Sequence, residues 1–295
     1  MRRAADPSRD GHDAMCEATP VDGVAARPAG PPPAGSRPAG LAVEHGTPAA
    51  AVLAARHRLR SARRSARLAR YEQLRIQRPD LFANPPGAAY EILLDRADQD
   101  LVADADAAVL RAAGRADEHA DIGVVYEDPY VVVVRDAVRF RGGRRGAYVR
   151  FTNAQPGTNA AVLAQLPDGR LLLVRHFRHG TRGWHWEIPR GFAQEGGDGA
   201  ATARRELLEE TGVPAGAVHL LGRVCAGAEF DDIYLAALPA AAARELTVTA
   251  AAAGEGVDEL RLVPAAAVGR MIAAGAVTDP YLLAAYAFAT TKGLL

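Results

Sequence analysis

The sequence predicts an α/β fold: a mixed sheet covered by helices on both faces, preceded by a disordered and helical N-terminal extension. Three features predict it. After Asp121, short β-branched and apolar runs alternate with helical stretches, as in folds that interleave strands and helices. From Ala50 to Arg78 the chain is rich in Ala, Arg and Leu and then meets Pro79, a helix with its stop. Residues 1–50 are rich in Ala, Pro and Gly, with Pro31, Pro32 and Pro33 in a row; so few large apolar side chains cannot offset the entropy of ordering.

In chain order, residues 1–50 form the disordered extension, 51–118 a helical N-terminal region and 119–295 the globular domain. Asn84-Pro85-Pro86-Gly87 is a turn, and a second helical piece falls between Asp98 and Arg115. Tyr130 to Val134 reads as a buried strand, and Gly142-Gly143 turns it into a hairpin returning over Tyr148 to Thr152. Ala160 to Leu166 and Leu171 to His176 are strands around the turn Pro167-Asp168-Gly169. A helix runs from Gly199 to Thr211, with Asp198 as N-cap, Gly212 at the stop and Pro214 beyond. Strands follow at Leu220 to Cys225, Ile233 to Leu238 and Glu259 to Val263, then helices at Pro264 to Ala274 and Tyr281 to Lys292.

Composition excludes several classes. Of 295 residues, 49% are apolar, enough for a core. Lys plus Arg and Asp plus Glu both total 35, so the zero net charge argues against a whole-chain grip on nucleic acid or an anionic membrane. No apolar run is long enough for a membrane helix. The start, Met-Arg-Arg, leads into acidic and Pro-rich sequence rather than a secretory signal. Cys16 and Cys225 lie too far apart for a metal knuckle and are too few for a disulfide framework, so a reducing, cytoplasmic compartment is expected. The stretch from Arg56 to Arg70 is strongly basic; without interleaved aromatics, a solvated helix face is the favoured reading over a nucleic-acid or acidic-partner contact.

The chemistry concentrates in Arg205-Glu206-Leu207-Leu208-Glu209-Glu210-Thr211-Gly212. On a helix advancing about 100° per residue, Glu206, Glu209 and Glu210 share an arc of roughly 100°. Like charges at such spacings repel, so a face that gathers three carboxylates invites a divalent cation. Mg²⁺ suits oxygen ligands of this kind, with Mn²⁺ the alternative ion. Leu207 points away and can bury against the sheet, and Arg205, four residues before Glu209, can orient it.

The stretch Gly191 to Val213 resembles the Nudix box, G-x5-E-x7-R-E-U-x-E-E-x-G-U, where U is apolar. Gly191, Arg205, Glu206, Leu207, Glu209, Glu210, Gly212 and Val213 match; the first Glu of the pattern falls on Gly197, where Glu195 or Asp198 can stand in as the brace of the loop. The resemblance implies a Nudix-type α/β/α sandwich from about residue 121 to 292. The flanks, Arg175-His176-Phe177-Arg178 and Trp184 to Gly191, are similar to those of the ADP-ribose pyrophosphatase branch. That branch implies Arg178 and Glu187 facing the substrate and a backbone carbonyl of Arg190 on the metal. The family usually has Ala there; the Arg190 side chain is expected either on phosphate or in a salt bridge to a box Glu.

Glu206 and Glu210 are the first metal ligands implied, with Glu209 in the same shell or acting as base. A catalytic acid on a mobile loop past the box is also implied. Glu255 holds that place, with Asp258 and Glu259 as rivals. Trp184 and Trp186 alternate, so one is expected on a base and the other in the core; Trp186 is assigned the base. His176, His179 and His185 fit no closed ligand set. Glu229-Phe230-Asp231-Asp232 is a weaker acidic candidate for contacts at the cleft.

The resemblance implies Mg²⁺-dependent hydrolysis of a nucleoside diphosphate linked to another moiety, first ADP-ribose to AMP and ribose 5-phosphate, by a homodimer like similar enzymes. NDP-sugars, NADH and CoA derivatives would use the same box. The alternative from another class is a sensor that binds ADP-ribose or NAD without hydrolysis and uses its basic helix to contact DNA or protein.

Overall fold

The computed structural model describes residues 47–226 and 229–295. The extension expected to be disordered therefore lies, over residues 1–46, outside the described residues. The first helix begins at once: α1 spans Pro48–Gln77. Its last turns bury Leu68, Tyr71 and Leu74, spaced three apart on one face. Arginines share that side of the helix. Arg63 Nε, Arg64 Nε and Arg67 Nη1 donate to the fully buried Asp121 at 2.6, 2.9 and 3.1 Å. Arg64 also reaches Asp104, Arg60 reaches Asp117, and Arg70 forks onto Glu127. Much of the basic stretch is thus neutralised within the chain, a third outcome besides a solvated face or a partner contact.

After a 3₁₀ turn at Pro79–Phe82 come β1 (Tyr90–Ile92) and α2 (Arg96–Ala112), whose N-cap Asp95 accepts from the Ala97 and Asp98 amides. Strands β2 (Gly123–Glu127), β3 (Val131–Phe140) and β4 (Arg145–Asn153) follow. Both β1 and β2 pair antiparallel with β3, and β4 pairs with it in turn. This four-stranded sheet packs on α1 and α2 through Leu68, Tyr71, Val102, Ile122, Val132 and Val134.

The four-stranded sheet draws on both sides of residue 118. Of the strands placed in the globular domain, β3 pairs with β1, which arises inside the region read as helical. A run such as Val131 to Val134 encodes a strand but not the sheet it joins.

A second sheet of seven strands forms the body. It comprises β5 (Ala160–Gln165), β6 (Arg170–Arg178), β7 (Gly183–Glu187), β8 (Arg190–Gly191), β9 (Val218–Ala226), β10 (Glu229–Ala237) and β11 (Val257–Pro264). The main path runs β11-β6-β5-β10-β9, with β7 beside β6 and β8 beside β5. Only β5 and β10 pair parallel, so the sheet is mixed.

Alternation along β5 splits the core. Ala161 and Leu163 face a cluster with Val268, Leu282 and Ala285 from α6 (Ala265–Ala273) and α7 (Pro280–Thr291). Ala160, Val162 and Ala164 face Ala203 and Leu207 of α3 (Gly199–Thr211). Helices therefore cover both faces, an α/β/α sandwich as the sequence predicts. Short helices α4 (Ala242–Glu245) and α5 (Ala250–Glu255) complete the element list. No helix among the described residues is long and apolar enough to cross a membrane.

Candidate active site

The carboxylate cluster rides on α3. Asp198 caps the helix, its Oδ1 accepting from the Ala201 amide at 2.6 Å. Gly212 ends it at φ 73°, a left-handed cap that glycine adopts without Cβ strain. Leu207 anchors the inner face at 0% exposure. That anchoring presents Glu206, Glu209 and Glu210 to a cleft of about 480 Å³, whose walls also include Arg178, Arg190 and Glu255.

Glu206 and Glu210 are buried, whereas Glu209 stands half-exposed at the mouth. Burial pushes Glu206 above the usual carboxylate range, with Glu209 and Glu255 adding to it against the opposing pull of Arg205. Burial pushes Glu210 up to about 8, helped by the charge of Glu206. Glu210 Oε1 accepts the Arg190 amide at 3.2 Å; its Oε2 is buried with no hydrogen-bond partner. Arg205 bridges Glu206 and Glu209, at 2.7 Å to each.

Gly191 explains the close approach. A Cβ there would collide with the Glu206 carboxylate. The loop after it is braced without the missing Glu of the box pattern. Arg205 Nη2 donates to the Phe192 carbonyl at 2.5 Å, and Asn159 Oδ1 accepts the Ala193 amide at 3.1 Å. Neither stand-in takes the job: Glu195 is exposed, and Asp198 is occupied as the helix cap.

The opposite wall is cationic. Glu187, 2% exposed, accepts from Arg178 and, at 3.2 Å, from Arg190. Despite its burial, those guanidiniums hold Glu187 below the usual carboxylate range. Glu187 itself is not part of the cleft wall; it fixes the two arginines that are. The Arg190 side chain also lies 3.7 Å from Asp279 and stacks 4.5 Å over the Tyr281 ring. It makes no bridge to a carboxylate of the Nudix-like box, one of its two expected fates.

Trp186 is a correction. It packs against the α6–α7 side of the core under the Arg261 guanidinium, outside the cleft wall. Trp184 is half-exposed beside Phe177 and Arg175, also away from the cleft. Glu255 is another partial correction: it ends α5, capped by Thr249, rather than riding a free loop. Its rivals are engaged on β11, Asp258 with Arg175 and Glu259 with Arg261. Of the three histidines only His176 reaches the cleft, its Nε2 3.1 Å from the Glu255 carbonyl oxygen.

Sequence reasoning missed Asn159 and Tyr281 and gave Asp231 little weight. Both partners donate to the buried Asp231, Tyr281 through its hydroxyl and Asn159 through Nδ2 at 3.1 Å. Burial raises Asp231 above the usual carboxylate range.

The donor set fits a hard divalent cation. An orphaned buried carboxylate oxygen on Glu210 stands beside a second buried carboxylate, Glu206, past which backbone without a Cβ runs at Gly191. Among the described residues no three acidic, His or Cys side chains already converge as a finished ligand set.

Comparison with known proteins gives one family: residues 155–286 match the model of the NUDIX domain. The chain is 46% identical over 65 residues to an RNA pyrophosphohydrolase of Caulobacter vibrioides, covering 22% of this chain and 36% of that protein. It is 34% identical over 99 residues to the CMP-5'-(N-acetyl-N-hydroxy-3-aminopropyl)phosphonate hydrolase of Streptomyces rubellomurinus, covering 33% of this chain and 47% of that one. The chain thus spans between a third and a half of the length of these relatives. Among solved structures it is similar to an ADP compounds hydrolase, at 19% identity and TM-score 0.42, over 58% of this chain and 93% of that one.

Proposed function

We propose, from the match of residues 155–286 to the NUDIX domain model, that the protein is a metal-dependent pyrophosphohydrolase of nucleoside diphosphates linked to a second moiety. ADP-ribose, yielding AMP and ribose 5-phosphate, is the first substrate, and Mg²⁺ the ion, replaceable by Mn²⁺. The observation that carries the reading is the buried pair Glu206 and Glu210 with one carboxylate oxygen unpartnered inside a cleft.

Glu206, Glu210 and the Arg190 carbonyl would hold the ion, with Glu209 joining them or remaining on Arg205. A bound divalent cation offsets diphosphate charge and lowers the pKa of a ligated water. Arg178 and Arg190 meet the substrate's anionic oxygens, preset by Glu187 so that little side-chain entropy is lost on binding. Glu255, on the cleft wall, takes the proton of the attacking water at its carboxylate. Water adds to one phosphorus, and the bridging oxygen leaves with the other phosphate. A sensor with a basic interaction helix is disfavoured, because Arg63, Arg64, Arg67 and Arg70 are paired within the chain.

The test is hydrolysis by the full chain of ADP-ribose, an NDP-sugar, NADH and a CoA derivative, with Mg²⁺ and with chelator. Glu206→Gln and Glu210→Gln should each lower turnover by about two orders of magnitude or more with the circular dichroism unchanged. Near wild-type rates in either variant overturn the metal assignment.

A further inference from the structure

Glu255 meets the cleft as an exposed carboxylate, and among the described residues it has no hydrogen-bond or ion-pair partner. Its side chain is not held by its neighbours, so its place depends on the backbone that carries it. Burial is the main cause of the raised Glu206 carboxyl, but the charge of Glu255 adds to it, so the two carboxylates feel each other across the cleft. The carrier of Glu255, α5, is six residues long and contains Gly254. A helix so short is unstable alone, and glycine weakens it further, so its position is set by what holds its ends. At the first end Thr249 Oγ1 accepts the Ala252 amide at 3.1 Å and donates to the Glu209 carbonyl of α3. One hydroxyl thus joins the start of α5 to the carboxylate helix. At the other end the Glu255 carbonyl oxygen lies 3.1 Å from His176 Nε2 on β6. A carbonyl only accepts, so Nε2 carries the hydrogen. The next carbonyl, that of Gly256, accepts the Phe177 amide at 2.9 Å. Between the ends only Ala252 is buried, against Val174 and Val257.

We propose that Thr249 and His176 are positioning residues, bracing α5 between the carboxylate helix and β6 and so fixing Glu255 relative to Glu206 and Glu210. Each acts on turnover through Glu255 rather than on the substrate. The brace rests on the hydrolase reading, in which Glu255 takes the proton of the attacking water. A base must lie within hydrogen-bond reach of that water, and a misplacement of about 1 Å can cost roughly 100-fold in rate. Thr249 measures the distance from the ion-binding helix itself, because the Glu209 carbonyl lies in the stretch of α3 that carries Glu206 and Glu210.

The test is a set of double-mutant cycles in the full chain, with two readouts. Thr249→Val and His176→Leu each remove one donor; Thr249→Ser and His176→Gln keep a donor within reach of the same carbonyl. Mn²⁺ alone, followed by electron paramagnetic resonance, gives the readout without turnover. Glu255→Gln removes a negative charge from the cleft, so Mn²⁺ affinity should fall about three-fold. Thr249→Val and His176→Leu should each lower it by a similar factor, and by nothing further when added to Glu255→Gln. With ADP-ribose and Mg²⁺, each should lower kcat about ten-fold with KM within about two-fold, again with no further loss when added to Glu255→Gln. Thr249→Ser and His176→Gln should restore both readouts. Losses of equal size in the two backgrounds overturn the brace, since they would not pass through Glu255. Wild-type Mn²⁺ affinity and kcat in Thr249→Val or His176→Leu overturn it too, and a wild type that binds no Mn²⁺ overturns both readings. Otherwise the two fail separately: a non-additive Mn²⁺ cycle without hydrolysis of any nucleotide removes only the hydrolase, and hydrolysis with additive cycles removes only the brace.

Discussion

Glu210→Gln should stabilise the metal-free protein while disabling it. Burial moves the Glu210 carboxyl from 4.5 to about 8. Its raised value means that the folded state holds a proton which the unfolded chain releases above pH 4.5. Stability from this group is therefore complete below pH 4.5 and declines as pH rises, levelling off above about 8. At about 1.4 kcal/mol per pH unit, the wild type gives up roughly 3 kcal/mol between pH 4.5 and 7. A glutamine keeps the shape and the bond from the Arg190 amide, but its amide nitrogen would replace an oxygen that has no partner. That unsatisfied group costs about 1 kcal/mol. The net gain at pH 7 is then about 2 kcal/mol, vanishing or reversing near pH 5. Urea unfolding in chelator at pH 5, 6, 7 and 8 measures it for both proteins. A wild type whose stability does not fall from pH 5 to 7, or a glutamine variant no more stable at pH 7, refutes the reasoning.

Two further outcomes follow from the same walls. Gly191→Ala places a methyl on the Glu206 carboxylate, so kcat/KM should fall about 100-fold or more and thermal stabilisation by Mg²⁺ should disappear; retention of both would show that Glu206 has room to move. Glu187→Gln keeps the volume but removes the charge shared by Arg178 and Arg190, and KM for ADP-ribose should rise about ten-fold, worth about 1.4 kcal/mol, with a smaller change in kcat. An unchanged KM would mean that the arginines need no such anchor.

The carboxylate helix was legible because its information is local. Cap, apolar anchor and three acids recur at fixed spacing, and α3 spans the expected Gly199–Thr211. The inner sheet was legible for a similar reason, since alternation along β5 assigns each residue to a face. What escaped depends on which distant segments meet. Nothing in the order Tyr130 to Thr152 says that its strands join β1 rather than β6. Phe151, Asn159 and Tyr281 have no spacing relation to Gly191 or Glu206, and only the topology brings them to one cleft. The loop brace escaped because its acceptor is the Phe192 carbonyl, a group every residue has. Trp186 misled because a large ring satisfies a core as well as a base.

Two unsatisfied atoms tie the walls together. Glu210 Oε2 is a buried acceptor without a donor, and Arg190 Nε a buried donor without an acceptor. Buried polar atoms left unpaired cost about 1–3 kcal/mol each, so both are retained against stability. A cation alone would satisfy the first and an anion alone the second. The two ligands should therefore couple, because a diphosphate carries its oxygens to the arginine wall and its charge to the ion on the carboxylate wall. Measured by thermal shift, ADP with Mg²⁺ should raise the Tm by more than the separate effects of ADP and Mg²⁺ combined. Arg190→Ala should reduce that excess while leaving the shift from Mg²⁺ alone. Strict additivity in the wild type would mean that ion and diphosphate bind independently, and the two walls would not form one site.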